Sequence, residues 1–413
     1  MQEFNIFSLR NGIKVIHHGN NSKVSHLGLL ANVGSRDEDD NEHGLAHYLE
    51  HCFFKGTKKR KPFHILNRLE VVGGEINAYT TKEETCIYGS FLNEHLDRAT
   101  ELISDIICNS TFPEKEIIKE KEIIIDEIYS YQDSPIDQIY DDFEQQIFNN
   151  HTIGRPILGT EKSVKKLTQQ QLLNFVKKYY HPENIVISCV SNVNSKKLNE
   201  LLEKYFGAIN TGSSAIKRQS FSSYQPQKQS HKKDLFQNHC MIGNIAYPIK
   251  NTKRRGLVLL NNILGGPTMN SRLSMSLREK HGYTYNIESN YTPYSDTGIF
   301  SIYLGTETKW LDKSIKLAYK ELKLLRENKL GTTQLANAKK QLIGQIALGQ
   351  ENRSNLMLSI GKSLMNFKSI DSLETITKKI NEITAEQLLE IANEVFDEKQ
   401  ISMLTFLKNE EKN

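Results

Sequence analysis

Several stretches of this chain occur twice, in the same order and at nearly one spacing. That duplication limits the folds open to it more than any other feature. The strand-like run CIYGSFL at 86–92 has an echo in GIFSIYL at 298–304, 212 residues further on. Each run leads into a helix that opens alike, with Leu96-Asp97-Arg98 in one case and Leu311-Asp312-Lys313 in the other. Later, Thr168-Gln169-Gln170-Gln171 precedes Leu172, Leu173 and Phe175, and Thr384-Ala385-Glu386-Gln387 precedes Leu388, Leu389 and Ile391, 216 residues on. Both have the form of a capping box, in which the threonine hydroxyl accepts from a free first-turn amide and the glutamine reaches back. Each predicted helix leads to an apolar β-type run, at 185–190 and 401–406.

Strands alternating with long helices, twice over, imply an α+β protein of two structurally related domains, each a sheet with helices packed against it. A length of 413 residues is too great for one ordinary core and suits two. The segment 210–233 is poor in apolar residues and rich in Ser, Gln and Lys, so it reads as a linker. The expected division is therefore a domain at 1–209, the linker, and a second domain of the same fold at 234–413.

Charge excludes little. Lys and Arg number 53 against 49 Asp and Glu, and a net +4 is no electrostatic footprint for nucleic acid. The basic run Lys58-Lys59-Arg60-Lys61 reads as a solvated loop. The N-terminus runs straight into a strand pattern around Asn11-Gly12, without the basic and apolar regions of a signal peptide. No stretch of 18 apolar residues suggests a membrane span. The five cysteines (Cys52, Cys86, Cys108, Cys189, Cys240) are scattered, with no CxxC, which suits buried thiols in a reducing compartment. A cytoplasmic protein that binds neither nucleic acid nor membrane is the expectation.

The chemistry is concentrated at 42–56, EHGLAHYLEHCFFKG. Leu45, Tyr48, Leu49, Cys52 and Phe53 recur at helical spacing and predict one apolar face. His47, Glu50, His51 and Phe54 form the neighbouring stripe. Two histidines four apart stand one turn apart on the same side, so both imidazoles can reach one ion. Glu50 faces the same way and can accept a proton from water on that ion. The order His-x-x-Glu-His is the inverzincin signature. A catalytic zinc also needs a third protein ligand and one open position. The acidic stretch 120–127 (EKEIIIDE) supplies candidates. Glu120 and Glu127, two turns apart, share a helix face, and Glu122 and Asp126 compete with them.

Together these residues resemble the pitrilysin, mitochondrial processing peptidase and insulin-degrading enzyme family of inverzincin metallopeptidases, as a half-length member. The resemblance runs through 32–38 (NVGSRDE), the histidine motif, 73–80 (GGEINAYT) and 120–127, then through 264–266 (LGG) and 277–285 (LREKHGYTY). It implies a processing-peptidase-like metallohydrolase fold and one Zn²⁺ per chain. The family's third ligand lies 76 residues beyond the second histidine, which lands on Glu127. Its supporting glutamate, seven residues earlier, lands on Glu120, with the role of holding the site in shape. Arg278 and Tyr285 match a pair from the second half. Tyr285 would stabilise the oxyanion, and Arg278 would position substrate and the tyrosine. Asn77 and Ala78 match an edge strand to which an extended peptide adds. Where family members often carry a longer glycine-rich run, this chain has Gly265-Gly266-Pro267-Thr268.

The implied activity is that of a zinc metalloendopeptidase acting on unfolded or short peptides inside a clamshell chamber, with Glu50 as general base. A half-length chain implies association, as a homodimer or as a heterodimer with a sister chain. The competing expectation is a non-catalytic scaffold, or the partner subunit of a processing pair.

Overall fold

A computed structural model describes residues 4–209 and 216–409. Eleven strands are present there: β1 (Phe4–Ser8), β2 (Lys14–Gly19), β3 (Val24–Ala31), β4 (Glu75–Thr80), β5 (Thr85–Leu92), β6 (Ile185–Ser191), β7 (Lys228–Lys233), β8 (Asn238–Ala246), β9 (Thr284–Pro293), β10 (Gly298–Thr306) and β11 (Ser402–Lys408). They form a six-stranded sheet in the order β1-β2-β6-β3-β5-β4 and a five-stranded sheet in the order β7-β11-β8-β10-β9. With β1 set aside, the two orders correspond strand for strand. Even the single parallel pair recurs, as β2 with β6 and as β7 with β11. The fold is thus α+β, two related sheets each with helices packed against it, as the repeat implied. Both capping boxes form: Thr168 accepts from the Gln171 amide, Thr384 from the Gln387 amide, and each glutamine accepts in return from its threonine amide.

The central strands of each sheet are buried on both faces, to which their side chains point in alternation. In the first sheet, Leu27, Leu29 and Ala31 of β3 point into a large core that includes Leu45, Tyr48, Leu49, Cys52 and Phe53 of the helix Leu45–Phe53. Ile16 of β2 and Val186 and Val190 of β6 point the other way, against Leu356, Met357, Ile360 and Leu364 of the helix Arg353–Phe367. That helix lies very close: a Cβ on Gly361 would meet Leu30 Cδ1 at 2.8 Å. The Ser188 hydroxyl donates to the Met357 carbonyl at 2.6 Å. In the second sheet, Cys240, Ile242, Phe300, Ile302 and Leu304 face one core. Met241, Ile299, Tyr303, Leu404 and Phe406 face Ile139, Phe143 and Ile147 of the helix Pro135–Ile147. Full burial of each Val, Leu, Ile, Met or Phe side chain among them contributes about 1.5–3 kcal/mol.

The chain accordingly divides into two compact units that are not contiguous in sequence. One comprises Met1–Tyr129, Arg155–Arg218 and Leu348–Ser372; the other comprises Ser130–Gly154, Gln219–Ala347 and Leu373–Asn413. The expected boundaries at 1–209 and 234–413 miss this exchange, in which each half of the chain lends one covering helix to the other half's sheet. The expected linker at 210–233 is also corrected. Its last residues form β7, whose KQSHKK sequence is almost wholly exposed and pairs by backbone with β11. Ahead of it, Arg218 is partly buried in the first unit and donates through Nε and Nη2 to Asp37 at 2.9 Å. Residues 210–215 lie outside the described residues.

Candidate metal centre

The helix Leu45–Phe53 begins at Gly44, whose φ of +90° favours glycine, and where an added Cβ would meet the Leu158 carbonyl oxygen at 2.7 Å. The capping carboxylate comes from further back. Glu38 is buried, and its two oxygens accept from the Gly44 and Ala46 amides at 2.9 and 2.8 Å. Burial pushes the Glu38 pKa well above the usual carboxylate range, although both backbone donors oppose it. The apolar face of this helix enters the first core. The Tyr48 hydroxyl donates to the Ile117 carbonyl at 2.6 Å and so ties the helix to Glu114–Asp133. The two elements bearing the predicted ligands are thereby fixed against each other.

Across that junction three groups converge. One ligand atom each from His47, His51 and Glu127 lie within 4.8 Å of one another. Glu127 Oε2 stands 3.8 Å from His47 Nε2 and 3.6 Å from His51 Nε2. Neither distance is a hydrogen bond. Both approach the ligand-to-ligand separation of about 3.3 Å that bonds of about 2.0–2.1 Å to a tetrahedral zinc require. Burial lowers the His47 pKa to about 3, helped by His51 nearby, so its imidazole is neutral, as a ligand must be. Burial also lowers the His51 pKa, but the carboxylates of Glu120, Glu127 and Glu50 outweigh it and the net shift is upward. Three acids around one imidazole make a place that favours a cation. Donor identity, spacing and charge therefore fit Zn²⁺. The His47 Nδ1 atom is buried with no hydrogen-bond partner among the described residues.

Of the competing acids, Glu122 and Asp126 are exposed and are not part of the donor group, while Glu120 is 3% exposed. Its Oε1 lies 2.9 Å from His51 Nδ1 and its Oε2 is 2.6 Å from Lys55 Nζ. Burial raises the Glu120 pKa, yet bonds to His51 and Lys55 leave it below the usual value. An ionised Glu120 accepts from Nδ1 and leaves Nε2 of His51 with its lone pair toward Glu127. Lys55, which sequence reading left out, is signalled only by its place one turn beyond His51.

Glu50 stands beside the cluster without joining it. Its Oε2 accepts from the Thr80 hydroxyl at 2.6 Å. Burial raises the Glu50 pKa, and the Thr80 bond partly offsets this. Thr80 ends β4, the strand that also carries Asn77 and Ala78, paired with Tyr88 and Ile87 of β5. β4 is the outermost strand of its sheet, so its other edge has no partner strand among the described residues. Arg278 and Tyr285 belong to the second unit. Arg278 Nε donates to its neighbour Glu279 at 2.9 Å. Tyr285, second residue of β9, is 84% exposed rather than packed. Gly265 and Gly266, at the end of the helix Arg254–Gly265, line a cavity of about 200 Å³ with Asn261, Asn262 and Glu288. The basic run is less solvated than expected, because Arg60 is held by Asp105 at 2.6 Å and Glu101 at 2.7 Å. All five cysteines are free and four are buried; Cys108 is exposed. Among the described residues no helix is long and apolar enough to cross a membrane.

The chain belongs to peptidase family M16: the family's insulinase model matches residues 14–161, and the model of its inactive domain matches 166–342. An uncharacterized zinc protease of Rickettsia felis is 34% identical over 405 residues, covering 96% of this chain and 95% of the relative. The uncharacterized zinc protease YmxG of Bacillus subtilis is 31% identical over 393 residues, 95% of each chain. Among solved structures, a protease from Helicobacter pylori superposes with a TM-score of 0.91 at 22% identity, covering 98% of this chain and all of the other (100%). A Pseudomonas fluorescens protein described as a peptidase M16 inactive domain superposes at 0.92 with 20% identity, covering 100% and 99%. The family read from the motifs is borne out, and the two solved structures share the fold.

Proposed function

We propose that this chain is a zinc-dependent endopeptidase that hydrolyses bonds in unfolded or short peptides. The observation that carries the reading is the convergence of His47, His51 and Glu127 next to a carboxylate, Glu50, that is not part of the cluster. The two histidines and Glu127 would hold one Zn²⁺, which supplies Lewis acidity and lowers the pKa of a bound water toward neutrality. The residues around it do the rest. Glu120, charged and fixed by Lys55, holds His51 in the tautomer with Nε2 free. Thr80 donates to Oε2 of Glu50, and the Glu50 carboxylate would take the proton of the attacking water and return it to the leaving amine. An extended peptide adds to the open edge of β4 at Asn77 and Ala78, held by main-chain hydrogen bonds that tolerate varied side chains. Tyr285 is read as the oxyanion donor and Arg278 as its companion. Tyr285 is exposed and Arg278 partly so, their side-chain chemistry suits those roles, and the chamber and the association of two chains are read from the family resemblance.

Glu50→Gln tests the reading. It should retain zinc and lower the turnover of a quenched peptide at least about 10³-fold, the loss of a positioned proton acceptor. Cleavage by this variant at the wild-type rate would show that Glu50 is not the base. Zinc-loaded wild type that cleaves no peptide would favour the scaffold reading.

A further inference from the structure

The hairpin end that carries Thr80 is held more firmly than a substrate edge alone would need. The turn after β4 closes on itself: the Thr81 amide donates to the Glu84 carbonyl at 2.8 Å, and the Glu84 amide donates to the Thr81 hydroxyl at 3.1 Å. Its carbonyls at Thr81 and Lys82 accept from the amides of Ser35 and Arg36, at 3.1 and 2.8 Å. Lys82 Nζ donates to the Arg155 carbonyl at 2.6 Å. The Glu84 carboxylate, 8% exposed as a residue, accepts at Oε1 from the Tyr79 hydroxyl at 2.8 Å and from Lys362 Nζ at 2.6 Å. The same ammonium lies 4.9 Å from the centre of the Tyr79 ring. Lys362 comes from the exchanged helix Arg353–Phe367, so a residue distant in sequence braces the strand beside the metal cluster.

We propose that Thr80, backed by the brace Tyr79–Glu84–Lys362, is a positioning residue for Glu50. The strand that receives the peptide then also aims the proton acceptor. The inference rests on the peptidase reading for the role of Glu50. A glutamate side chain loses rotamer entropy when fixed, and a charge-assisted bond to a rigid donor offsets that loss before substrate arrives. Misplacement of a reacting group by about 1 Å can cost about 100-fold in rate. The arrangement couples register to chemistry, because Thr80 is three residues along the same strand from Asn77 and pairs with Thr85 at the last rung of the hairpin.

The test uses the full-length, zinc-loaded protein with Thr80→Val, Thr80→Ser, Lys362→Met and Lys362→Arg. Thr80→Val keeps the shape and removes the donor. Its kcat on a quenched peptide should fall about 10- to 100-fold, as for loss of a hydrogen bond to a charged group. KM should stay within about 2-fold, with zinc content and thermal midpoint unchanged. Thr80→Ser should restore kcat to within about 3-fold. Lys362→Met should lower kcat about 3- to 10-fold through the displaced turn, with Lys362→Arg recovering most of it. Crystal structures of wild type and Thr80→Val supply a readout independent of turnover: the Glu50 carboxylate should swing away from its wild-type place. A Thr80→Val kcat within about 2-fold of wild type, or a Glu50 that does not move, overturns the proposal. A silent Lys362→Met removes the brace from it. If wild type itself cleaves nothing, the peptidase reading fails, and the position of Glu50 in the two crystals still decides what Thr80 does.

Discussion

The two units share one strand order and carry different chemistry on it. After β3 comes the helix Leu45–Phe53, with His47, Glu50 and His51. After β8 comes the helix Arg254–Gly265, RRGLVLLNNILG, with no histidine and no acid. The later twenty-residue helix Glu114–Asp133 supplies Glu120 and Glu127. By order in the chain its counterpart is Thr332–Glu351, also twenty residues, whose single acid is the final Glu351. Among the described residues the only group of metal donors is that of His47, His51 and Glu127. The sheet and its covering helices are thus a frame that stands with or without a site. The site is five side chains placed on it (His47, Glu50, His51, Glu120 and Glu127), so loss of metal is expected to leave the fold in place.

The largest expected effect separates them most sharply. His51→Ala should abolish peptide turnover to background, a fall of at least about 10³-fold, while circular dichroism of the protein stays native. Collapse of the fold with the metal would mean that the first unit, unlike the second, depends on the ion. The exchanged helices give the matching test of the frame. Phe143→Ala should destabilise the second unit by about 3–5 kcal/mol, and Ile360→Ala the first by about 2–5 kcal/mol, read from urea unfolding. An Ile360→Ala variant of native stability would show that Arg353–Phe367 is not a structural part of the first unit. Glu120→Gln should weaken zinc binding about 10- to 100-fold, measured by competition with a chromophoric chelator. An unchanged affinity would remove Glu120 from the support of His51. Smallest of all, Thr168→Ala and Thr384→Ala should each cost about 0.5–2 kcal/mol, and by similar amounts, because the same capping box recurs in both units. Unequal losses would show that the repeat is less alike in energy than in topology.

Much of this was legible in the sequence. The repeat at 86–92 and 298–304 marks β5 and β10, and the paired capping boxes mark two helices that form as expected. The histidine helix was readable because its apolar face and its ligand stripe follow one 3.6-residue period. The exchange of helices was not. Leu356, Ile360 and Leu364 announce a covered face, but periodicity does not say which sheet covers it. β7 was missed for the opposite reason: KQSHKK is held by backbone bonds at a sheet edge and has no buried alternation to betray it. Spacing left four acids open as the third ligand. Burial of Glu120 and exposure of Glu122 and Asp126 separate them only once the helix is docked. Thr80 and Lys55 act through single contacts made across the fold, and such contacts leave no periodic trace.

Metal analysis of the purified protein after zinc loading and removal of excess, with His47→Ala in parallel, tests the proposed zinc site of the first unit. One tightly held zinc per wild-type chain and none in the variant are expected. Zinc retained at full stoichiometry after His47 is removed would contradict this assignment.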